Sequence, residues 1–209
     1  MIDLYTWTTP NGRKVSIMLE ECGLEYETHS INIGEDDQFK PEFLAISPNN
    51  KIPAIVDREN NQSLMESGAI LLYLAEKTGK FMPTDSLSRW QVVEWLMWQM
   101  AGLGPMLGQT HHFVKFNPGK GEYAEQRFLN ETKRLYGVLD RQLEGRNYIA
   151  GDYSIVDMAV WPWVSRFEWQ TVDLTEFANV KRWYIEVAAR DAVQTGYQIP
   201  KYVSDVPMP

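Results

Sequence analysis

The chain has 209 residues, a formal net charge of −8 at pH 7, and 44% apolar residues. This length fits one large domain or two small ones, and the negative charge argues against a general affinity for nucleic acid or for an anionic membrane. The single cysteine excludes an intramolecular disulfide, a C-x-x-C redox pair and a multi-cysteine metal site.

Residues 1 to 78 alternate strand and helix signals, beginning with "IDLYTW" as a first strand. Apolar residues from Val15 to Cys22 then recur at helical spacing, and Gly23 is a typical helix stop. "YETHSINI" predicts a second strand, "PEFLAISP" a short helix, and "IPAIVD" and "SLM" two strands joined by the turn "RENNQ". The helix "ESGAILLYLAEKTG" completes the order β-α-β-α-β-β-α, which is a thioredoxin-like pattern.

After a polar connector over residues 79 to 88, the remaining signals are helical, in "SRWQVVEWLMWQMAG", "EYAEQRFLNETKRLYGVLDRQLEG" and "VKRWYIEVAAR". Ser154 and Asp157 form an S-x-x-D capping box before an apolar run, and Pro162 inside that run predicts a kink. The proline-containing tail "QIPKYVSDVPMP" is expected to be extended. We therefore predict an α/β domain over 1–78, a linker over 79–88 and an all-helical domain over 89–209.

The N-terminus has no basic segment followed by an apolar one, so the sequence predicts no secretion signal. The longest apolar run, from Ala69 to Ala75, is far shorter than a membrane span. With one cysteine, these features predict a location in the reducing cytoplasm. His111 and His112 are adjacent, so on a helix they point about 100° apart and no metal site is expected.

Three motifs, in order along the chain, resemble those of the glutathione S-transferase superfamily. "SPNNKIPAIVD" is similar to its loop and strand with a cis-proline, "MESGAILLYLAEKTG" to its glutathione-binding turn and helix, and "YSIVDMAVWPW" to its capping box. "TTPNG", "SPNNKIPAI" and "GLGPMLGQTHHF" most resemble the bacterial nu class, whose members are glutathione-dependent disulfide-bond oxidoreductases. The resemblance implies a thioredoxin-like N-terminal domain, a helical glutathione S-transferase C-terminal domain and a homodimer.

The resemblance also implies a glutathione site in the first domain. A cis bond between Ile52 and Pro53 presents the Ile52 backbone to the cysteinyl part of the peptide, like an added strand; a simple turn proline is the alternative. Ser67, at a helix N-terminus, is expected to bind the γ-glutamyl carboxylate, while Glu66 faces the γ-glutamyl ammonium. Otherwise, Glu66 and Ser67 only cap the helix.

Three further residues are candidate contacts to glutathione. Lys51 and Gln38 can reach its glycyl end, although a lone Lys or Gln is usually solvated surface. Arg127, Glu131 and Arg134 are spaced to form a salt-bridge ladder along one helix. The nu-class resemblance implies instead that Arg127 faces the glutathione cleft and holds a second carboxylate.

The segment "TTPNG" occupies the corner where thiol-redox proteins of this layout usually hold a cysteine. Thr9 and Asn11 stand there at a helix N-terminus, where the helix dipole, a hydroxyl and amides favour a thiolate over a thiol. We expect them to stabilise the thiolate of a bound glutathione, so that the substrate supplies the cysteine. An N-cap threonine followed by a turn asparagine is the structural alternative, and it is compatible with this role.

Tyr5 is the rival catalytic residue, because several transferase classes use a tyrosine at the end of this strand. The alternative is that the Tyr5 side chain points into the core. Cys22 shares an apolar helix face and is expected to be a small buried hydrophobe, not a nucleophile.

The residues leave three functions open. The first is an enzyme that uses the thiolate of bound glutathione to reduce small disulfides, with two glutathiones or one oxidised molecule bound and small-molecule thiols and disulfides as partners. The second is a conventional transferase that conjugates electrophiles in an apolar pocket of the helical domain. The third is a non-catalytic binding or regulatory module, against which the intact candidates Thr9, Lys51 and Glu66 argue.

Overall fold

A computed structural model describes residues 1–209, and their contacts divide the chain into two units. The first unit comprises residues 1–82 and 189–206, and the second comprises residues 83–188 and 207–209. The predicted helical domain, 89–209, differs from this division in its last part. Residues 189–206 belong with the first unit because a helix within them packs on the first helix of the chain.

The first unit contains a four-stranded sheet of thioredoxin-like order, as predicted. Its strands, in the spatial order β2-β1-β3-β4, are β1 Ile2–Thr6, β2 Tyr26–Ser30, β3 Ala54–Asp57 and β4 Gln62–Met65. β1 pairs parallel with β2 and antiparallel with β3, and β3 pairs antiparallel with β4. β1 lies in the middle of the sheet, and its apolar residues Ile2 and Leu4 are buried.

Four α-helices belong to the first unit, α1 Pro10–Cys22, α2 Pro41–Leu44, α3 Ser67–Thr78 and α9 Asp191–Tyr197. α1 ends at Gly23, as predicted, because this residue adopts a left-handed conformation with φ 66°. α9 was not predicted from the sequence, and it packs closely on α1. Ser16 Oγ donates to the Gly196 carbonyl at 2.7 Å, and Arg13 Nε donates to the Tyr197 carbonyl at 3.0 Å.

The second unit is helical, as predicted. Its α-helices are α4 Ser86–Trp98, α5 Gly104–Thr110, α6 Glu122–Gln142, α7 Ile155–Val164 and α8 Ala178–Ala188. Two π-helical segments, Gln99–Leu103 and His111–Phe116, flank α5. None of the helices in the chain combines the length and the apolar character that crossing a bilayer requires.

The capping box at the start of α7 is present. The Ser154 hydroxyl accepts from the Val156 N–H at 3.3 Å, and the Asp157 carboxylate accepts from the Ser154 N–H at 3.0 Å. Asp157 also accepts from the Trp183 indole N–H at 2.9 Å, which ties α7 to α8. Every residue of α7 is buried, so this helix forms the centre of the helical unit.

Candidate active site

The sheet register brings three predicted motifs to one end of the first unit. Tyr5 in β1 lies opposite Ala54 in β3, and Ala54 lies opposite Met65 in β4. The end of β1, which leads to Thr9, therefore lies beside the start of β3, which follows Pro53. The start of β3 lies in turn beside the end of β4, which leads to Glu66. Residues distant in sequence meet here because antiparallel pairing sets the end of one strand beside the start of the next.

The corner between β1 and α1 depends on a glycine. A Cβ atom at Gly12 would overlap the Trp7 carbonyl oxygen and the Thr6 hydroxyl, so only glycine allows α1 to start this close to β1. Thr9 is the N-cap of α1, and its Oγ1 accepts from the Gly12 N–H at 3.2 Å. Since that bond uses an oxygen lone pair, the Thr9 hydroxyl keeps its own proton to donate. Thr9 and Asn11 are both half-buried.

Tyr5 lies on the opposite face of the sheet from Thr6, because successive strand residues alternate in direction. The Thr6 side chain meets α1 at Gly12, whereas the Tyr5 ring stacks on His29, with 4.6 Å between ring centroids. The Tyr5 ring also lies 6.3 Å from Phe43 of α2. This geometry separates the Tyr5 hydroxyl from the N-terminus of α1.

Cys22 is buried at the other end of α1. Its sulfur lies 4.0 Å from Met18 Sδ and 3.6 Å from Thr78 Oγ1, and burial raises the pKa of the thiol. The eleven-residue separation from Asn11 corresponds to about 16 Å along the helix axis. The one cysteine of the chain is therefore poorly ionised and remote from the Thr9 corner.

The bond between Ile52 and Pro53 is cis, in agreement with the prediction. Ile52 is half-buried and precedes β3, so its backbone lies outside the ladder that joins β3 to its neighbours. The preceding loop is fixed by Ser47, whose hydroxyl donates to the Lys51 carbonyl at 2.8 Å. The Lys51 side chain is exposed.

The N-terminus of α3 provides the second part of the predicted site. Glu66 is exposed and adopts φ 68° and ψ 111°, a conformation that non-glycine residues rarely adopt and that often marks a functional position. Its side chain makes no capping bond to the helix, so the first amides of α3 are not satisfied by Glu66. Ser67 is the first residue of α3 and is buried.

Lys14 was not predicted as a site residue, yet its side chain reaches this helix start. It is only 1% exposed, and its Nζ donates to Ser67 Oγ at 3.2 Å. Burial lowers the pKa of the Lys14 ammonium to about 7, and the Glu66 carboxylate opposes that shift. In the sequence, Lys14 is one polar residue of an amphipathic helix, and only the packing of α1 against α3 indicates its position.

The two remaining candidates are Gln38 and Arg127. Gln38 is half-buried in a 3₁₀ turn, Asp37–Phe39, and its Nε2 donates to Asp36 Oδ1 at 3.4 Å. Arg127 is exposed on α6, in the second unit. It lines a cavity of about 550 Å³ whose other lining residues include Met106, Tyr123, Phe128 and Arg134. Arg134 forms the predicted ion pair with Glu131, at 2.7 Å.

One cluster of acidic residues with a histidine, and one buried histidine, bear on metal binding. Asp3, Glu27 and His29 offer ligand atoms within 4.8 Å of one another, a cluster that was not predicted. Arg58 already supplies positive charge there, because Arg58 Nε donates to Asp3 Oδ2 at 2.6 Å and the guanidinium also pairs with Glu27. In the second unit, His111 accepts from Gln170 Nε2 at 3.1 Å, and burial lowers the pKa of this imidazole to about 4.

Comparisons with known proteins agree on one family. The chain matches the family model described as "Glutathione S-transferase, N-terminal domain" over residues 8–77 and the one described as "Glutathione S-transferase, C-terminal domain" over residues 103–191. It is 50% identical to Disulfide-bond oxidoreductase YfcG of Escherichia coli, over 92% of each chain. It is 44% identical to Disulfide-bond oxidoreductase YghU of the same organism, over 93% of this chain and 73% of that one.

Solved structures agree with the sequence relatives. A glutathione transferase from Pseudomonas putida, with one glutathione disulfide bound per subunit, is 47% identical and superimposes with a TM-score of 0.90 over 95% of this chain and 91% of that one. A glutathione transferase from Burkholderia graminis, with two glutathione molecules bound per subunit, is 45% identical, with a TM-score of 0.89 over 97% of this chain and 89% of that one.

Proposed function

Because the chain belongs to the glutathione S-transferase family, we propose that it is a glutathione-dependent disulfide-bond oxidoreductase that reduces small disulfides. The observation that carries the proposal is the 50% identity, over 92% of each chain, to a protein named disulfide-bond oxidoreductase. The burial of Cys22 supports the same reaction, because a thiol that is remote and poorly ionised leaves the reacting sulfur to the bound peptide.

The proposed reaction consists of two thiol–disulfide exchanges. The thiolate of a bound glutathione attacks one sulfur of the substrate disulfide, the S–S bond breaks, and one substrate thiolate leaves and takes up a proton. A second glutathione thiolate attacks the glutathione sulfur of this mixed disulfide. The second substrate thiol is released, and glutathione disulfide forms. Two glutathiones are oxidised for each disulfide reduced, in keeping with one disulfide or two glutathiones in the related structures.

Each part of glutathione has a proposed partner in the first unit. Thr9 and Asn11 hold the sulfur, and the backbone of Ile52, before the cis Pro53, pairs with the cysteinyl part.

The start of α3 supports the assignment of Ser67 to the γ-glutamyl carboxylate, because helix N-termini bind anions. Glu66 takes the γ-glutamyl ammonium. Lys51 and Gln38 are proposed to hold the glycyl carboxylate.

A paired assay tests this function. Reduced glutathione is supplied with a small dialkyl disulfide in one arm and with an activated aryl halide in the other. We expect a higher kcat/KM on the disulfide. Greater efficiency on the halide would identify a conventional transferase instead, and activity on neither substrate would indicate a non-catalytic binding module.

We also propose that the chain forms a homodimer through α4. Leu87, Trp90 and Met97 project from one face of this helix and are 82%, 66% and 47% exposed, which is unusual for side chains of this size. Trp90→Glu should shift the protein to monomer in analytical ultracentrifugation, whereas Ile185→Glu on α8, 40% exposed, should leave a dimer intact. A Trp90→Glu variant that stays dimeric would exclude this face as the interface.

Two finer assignments complete the proposal. The motifs "TTPNG" and "GLGPMLGQTHHF" support membership of the nu class within the family. The proposed reaction supports a cytoplasmic location, because it needs a compartment in which glutathione is kept reduced.

A further inference from the structure

The returning C-terminal segment brings a lysine to the corner between β1 and α1. Residues 189–206 belong to the first unit, and Lys201 follows shortly after α9 ends at Tyr197. The Nζ atom of Lys201 lies 4.2 Å from the centre of the Trp7 ring. An ammonium this close to an indole face makes a cation–π interaction, so the end of the Lys201 side chain is held beside Trp7.

Trp7 is joined closely to the residue that caps α1. It follows directly after β1, and the Thr9 N–H donates to the Trp7 carbonyl at 2.7 Å. This bond closes a three-residue turn, in which the Cα atoms of Trp7 and Thr9 are at most about 7.6 Å apart. Lys201 therefore lies beside the corner at which Thr9 and Asn11 are proposed to hold the sulfur of glutathione.

The corner has no charged side chain of its own, because residues 4–12 are all uncharged. The next cations along the chain, Arg13 and Lys14, are buried. Lys201 is exposed, and its side chain makes neither a hydrogen bond nor an ion pair. The indole ring is neutral, so the ammonium keeps its full positive charge for a ligand, in a chain whose formal net charge is −8.

We propose that Lys201 is a specificity-determining residue, and that it favours substrate disulfides that carry a carboxylate close to the S–S bond. The substrate must present its S–S bond to the sulfur held at the corner, so groups a few bonds from that S–S bond lie in the space beside the corner. A positive charge there attracts a carboxylate, and the flexible stem of a lysine lets the ammonium turn from the ring to the ligand.

This inference rests on the proposed function, because it requires a thiolate at the Thr9 corner that attacks a disulfide. Lys201 forms no covalent bond, and the two thiol–disulfide exchanges are the same for every substrate. The inference concerns only which disulfides react efficiently.

The test compares two disulfides of nearly equal size and opposite charge character. Dithiodipropionate carries a carboxylate at each end, and its diamide is neutral. kcat/KM is measured for both at pH 7 with saturating reduced glutathione. Lys201→Met should lower the ratio of kcat/KM, anionic over neutral, about two- to fivefold relative to the wild type, the range for an exposed ion pair. The intrinsic reactivity of the two disulfides cancels in this comparison.

Two variants and a change of salt separate local recognition from other effects. Lys201→Arg keeps the cation and should keep the wild-type ratio. Lys80→Met causes the same change in net charge at the opposite end of α1, where Lys80 donates to the Cys22 carbonyl at 3.1 Å, and it should also keep that ratio. Raising the salt concentration from about 0.01 M to about 0.3 M should lower the ratio in the wild type more than in Lys201→Met.

The outcomes distinguish this inference from the proposed function. A wild type that reduces neither disulfide would overturn the proposed function and this inference with it. A wild type that reduces the diamide, with a ratio that Lys201→Met leaves unchanged, would overturn the inference alone. An equally large fall of the ratio in Lys80→Met would also overturn it, because a general effect of net charge predicts that result.

Discussion

At the corner where β1 meets α1, the Thr9 hydroxyl caps the helix with its oxygen and keeps its proton for a ligand. Ionisation of the sulfur alone would contribute little to catalysis. Lowering a thiol pKa from about 8.5 to about 6.5 raises the thiolate fraction at pH 7 roughly 25-fold, while the weaker nucleophile loses about 8-fold. Since the net gain is only about 3-fold, Thr9 and Asn11 must contribute mainly by orienting the sulfur.

Thr9→Ala and Asn11→Ala should each lower kcat for disulfide reduction by about 10²-fold, equivalent to roughly 2.7 kcal/mol of transition-state stabilisation. Glutathione affinity should fall only modestly, because the contacts at Ser67 and Ile52 remain. If both residues act on one sulfur, the double variant should lose less than the product of the single losses. Steady-state kinetics and calorimetry on the four proteins measure these effects.

Tyr5→Phe is the matched control for this pair, because Tyr5 lies on the other face of β1. The ultraviolet absorbance of bound glutathione thiolate near pH 7 should persist in Tyr5→Phe and fall in Thr9→Ala. The reverse result would assign the sulfur to Tyr5 and withdraw the roles of Thr9 and Asn11.

Cys22→Ser should leave kcat/KM for disulfide reduction within about twofold of the wild type, because the reacting sulfur arrives with glutathione. A small loss of melting temperature is expected, since a hydroxyl replaces a thiol in contact with Met18. Activity and thermal unfolding are measured on the same preparation. A large loss of turnover with unchanged melting would contradict an imported thiol.

The resemblance to glutathione S-transferases, together with the helix starts at which they stand, predicted roles for Thr9, Asn11, Glu66 and Ser67. Residue types alone favour simple helix capping for Glu66 and Ser67. Lys14 could not be predicted in this way. Lys14 contacts Ser67, 53 positions away in the chain, only because α1 packs against α3. No local sequence pattern shows that two distant helices pack together. The separation of Tyr5 from the corner could not be predicted either, because it depends on the face of β1 to which the Tyr5 side chain points.

Among the elements, the start of α7 has a consequence for stability. Burial raises the pKa of Asp157 from 3.8 to about 6, although the carboxylate accepts three N–H bonds, from Ile149, Ser154 and Trp183. A carboxyl whose pKa is raised on folding binds more protons in the folded state, so its contribution to stability is complete below about pH 4 and is lost as the pH rises through about 6.

Asp157→Asn should remove this dependence. The unfolding free energy of the wild type, relative to that of the variant, should fall by about 3 kcal/mol between pH 4 and pH 7.5. This estimate takes a pKa shift of about two units, each worth about 1.36 kcal/mol. Urea unfolding at several pH values measures it. A difference independent of pH would mean that the three N–H donors outweigh burial and keep the carboxylate charged.

The N-cap of α4 provides a control of opposite sign. Asp85 is exposed and accepts from the Ser88 N–H at 2.9 Å, a bond that lowers the pKa of its carboxyl. Its contribution to stability is therefore present above the unfolded pKa and is lost as the pH falls. Asp85→Asn should thus change stability more at pH 7.5 than at pH 4, the reverse of Asp157→Asn.

Elements with strong local signals were predicted well. The order of strands and helices in the first unit, the long helix α6 and the capping box of α7 follow from hydrophobic spacing and from capping residues. α9 was missed because it is seven residues long, contains a glycine and makes its main contacts with α1, far away in sequence. Its formation depends on a surface that the chain completes only on folding.

For the molecule as a whole, the chain begins in the first unit, builds the helical unit and then returns through residues 189–206. An ion pair and close packing hold residues 189–206 against α1. Arg190 pairs with Glu21 at 2.6 Å, and the Arg13 guanidinium stacks on the Tyr197 ring. Gly196 allows the closest approach, because a Cβ atom there would lie 2.7 Å from the backbone Cα and N of Ile17.

Gly196→Ala should therefore destabilise the first unit by about 1–3 kcal/mol, because the new methyl group meets backbone atoms that cannot turn aside. Gly102→Ala is the matched control in the helical unit, since nothing lies within 4 Å of a Cβ at that position. It should be neutral or slightly stabilising, as expected when alanine replaces glycine in a helical segment. Chemical unfolding measures both changes in stability.

Hydrogen exchange located by mass spectrometry shows where each change acts. In Gly196→Ala the amides of α1 should lose protection while those of α6 keep it, because the packing that is lost lies within the first unit. Unchanged stability and unchanged exchange in α1 would mean that α9 moves aside at little cost. In that case residues 189–206 would not stabilise α1. The idea that this segment holds the helix that begins after Thr9 and contains Lys14 would then be wrong.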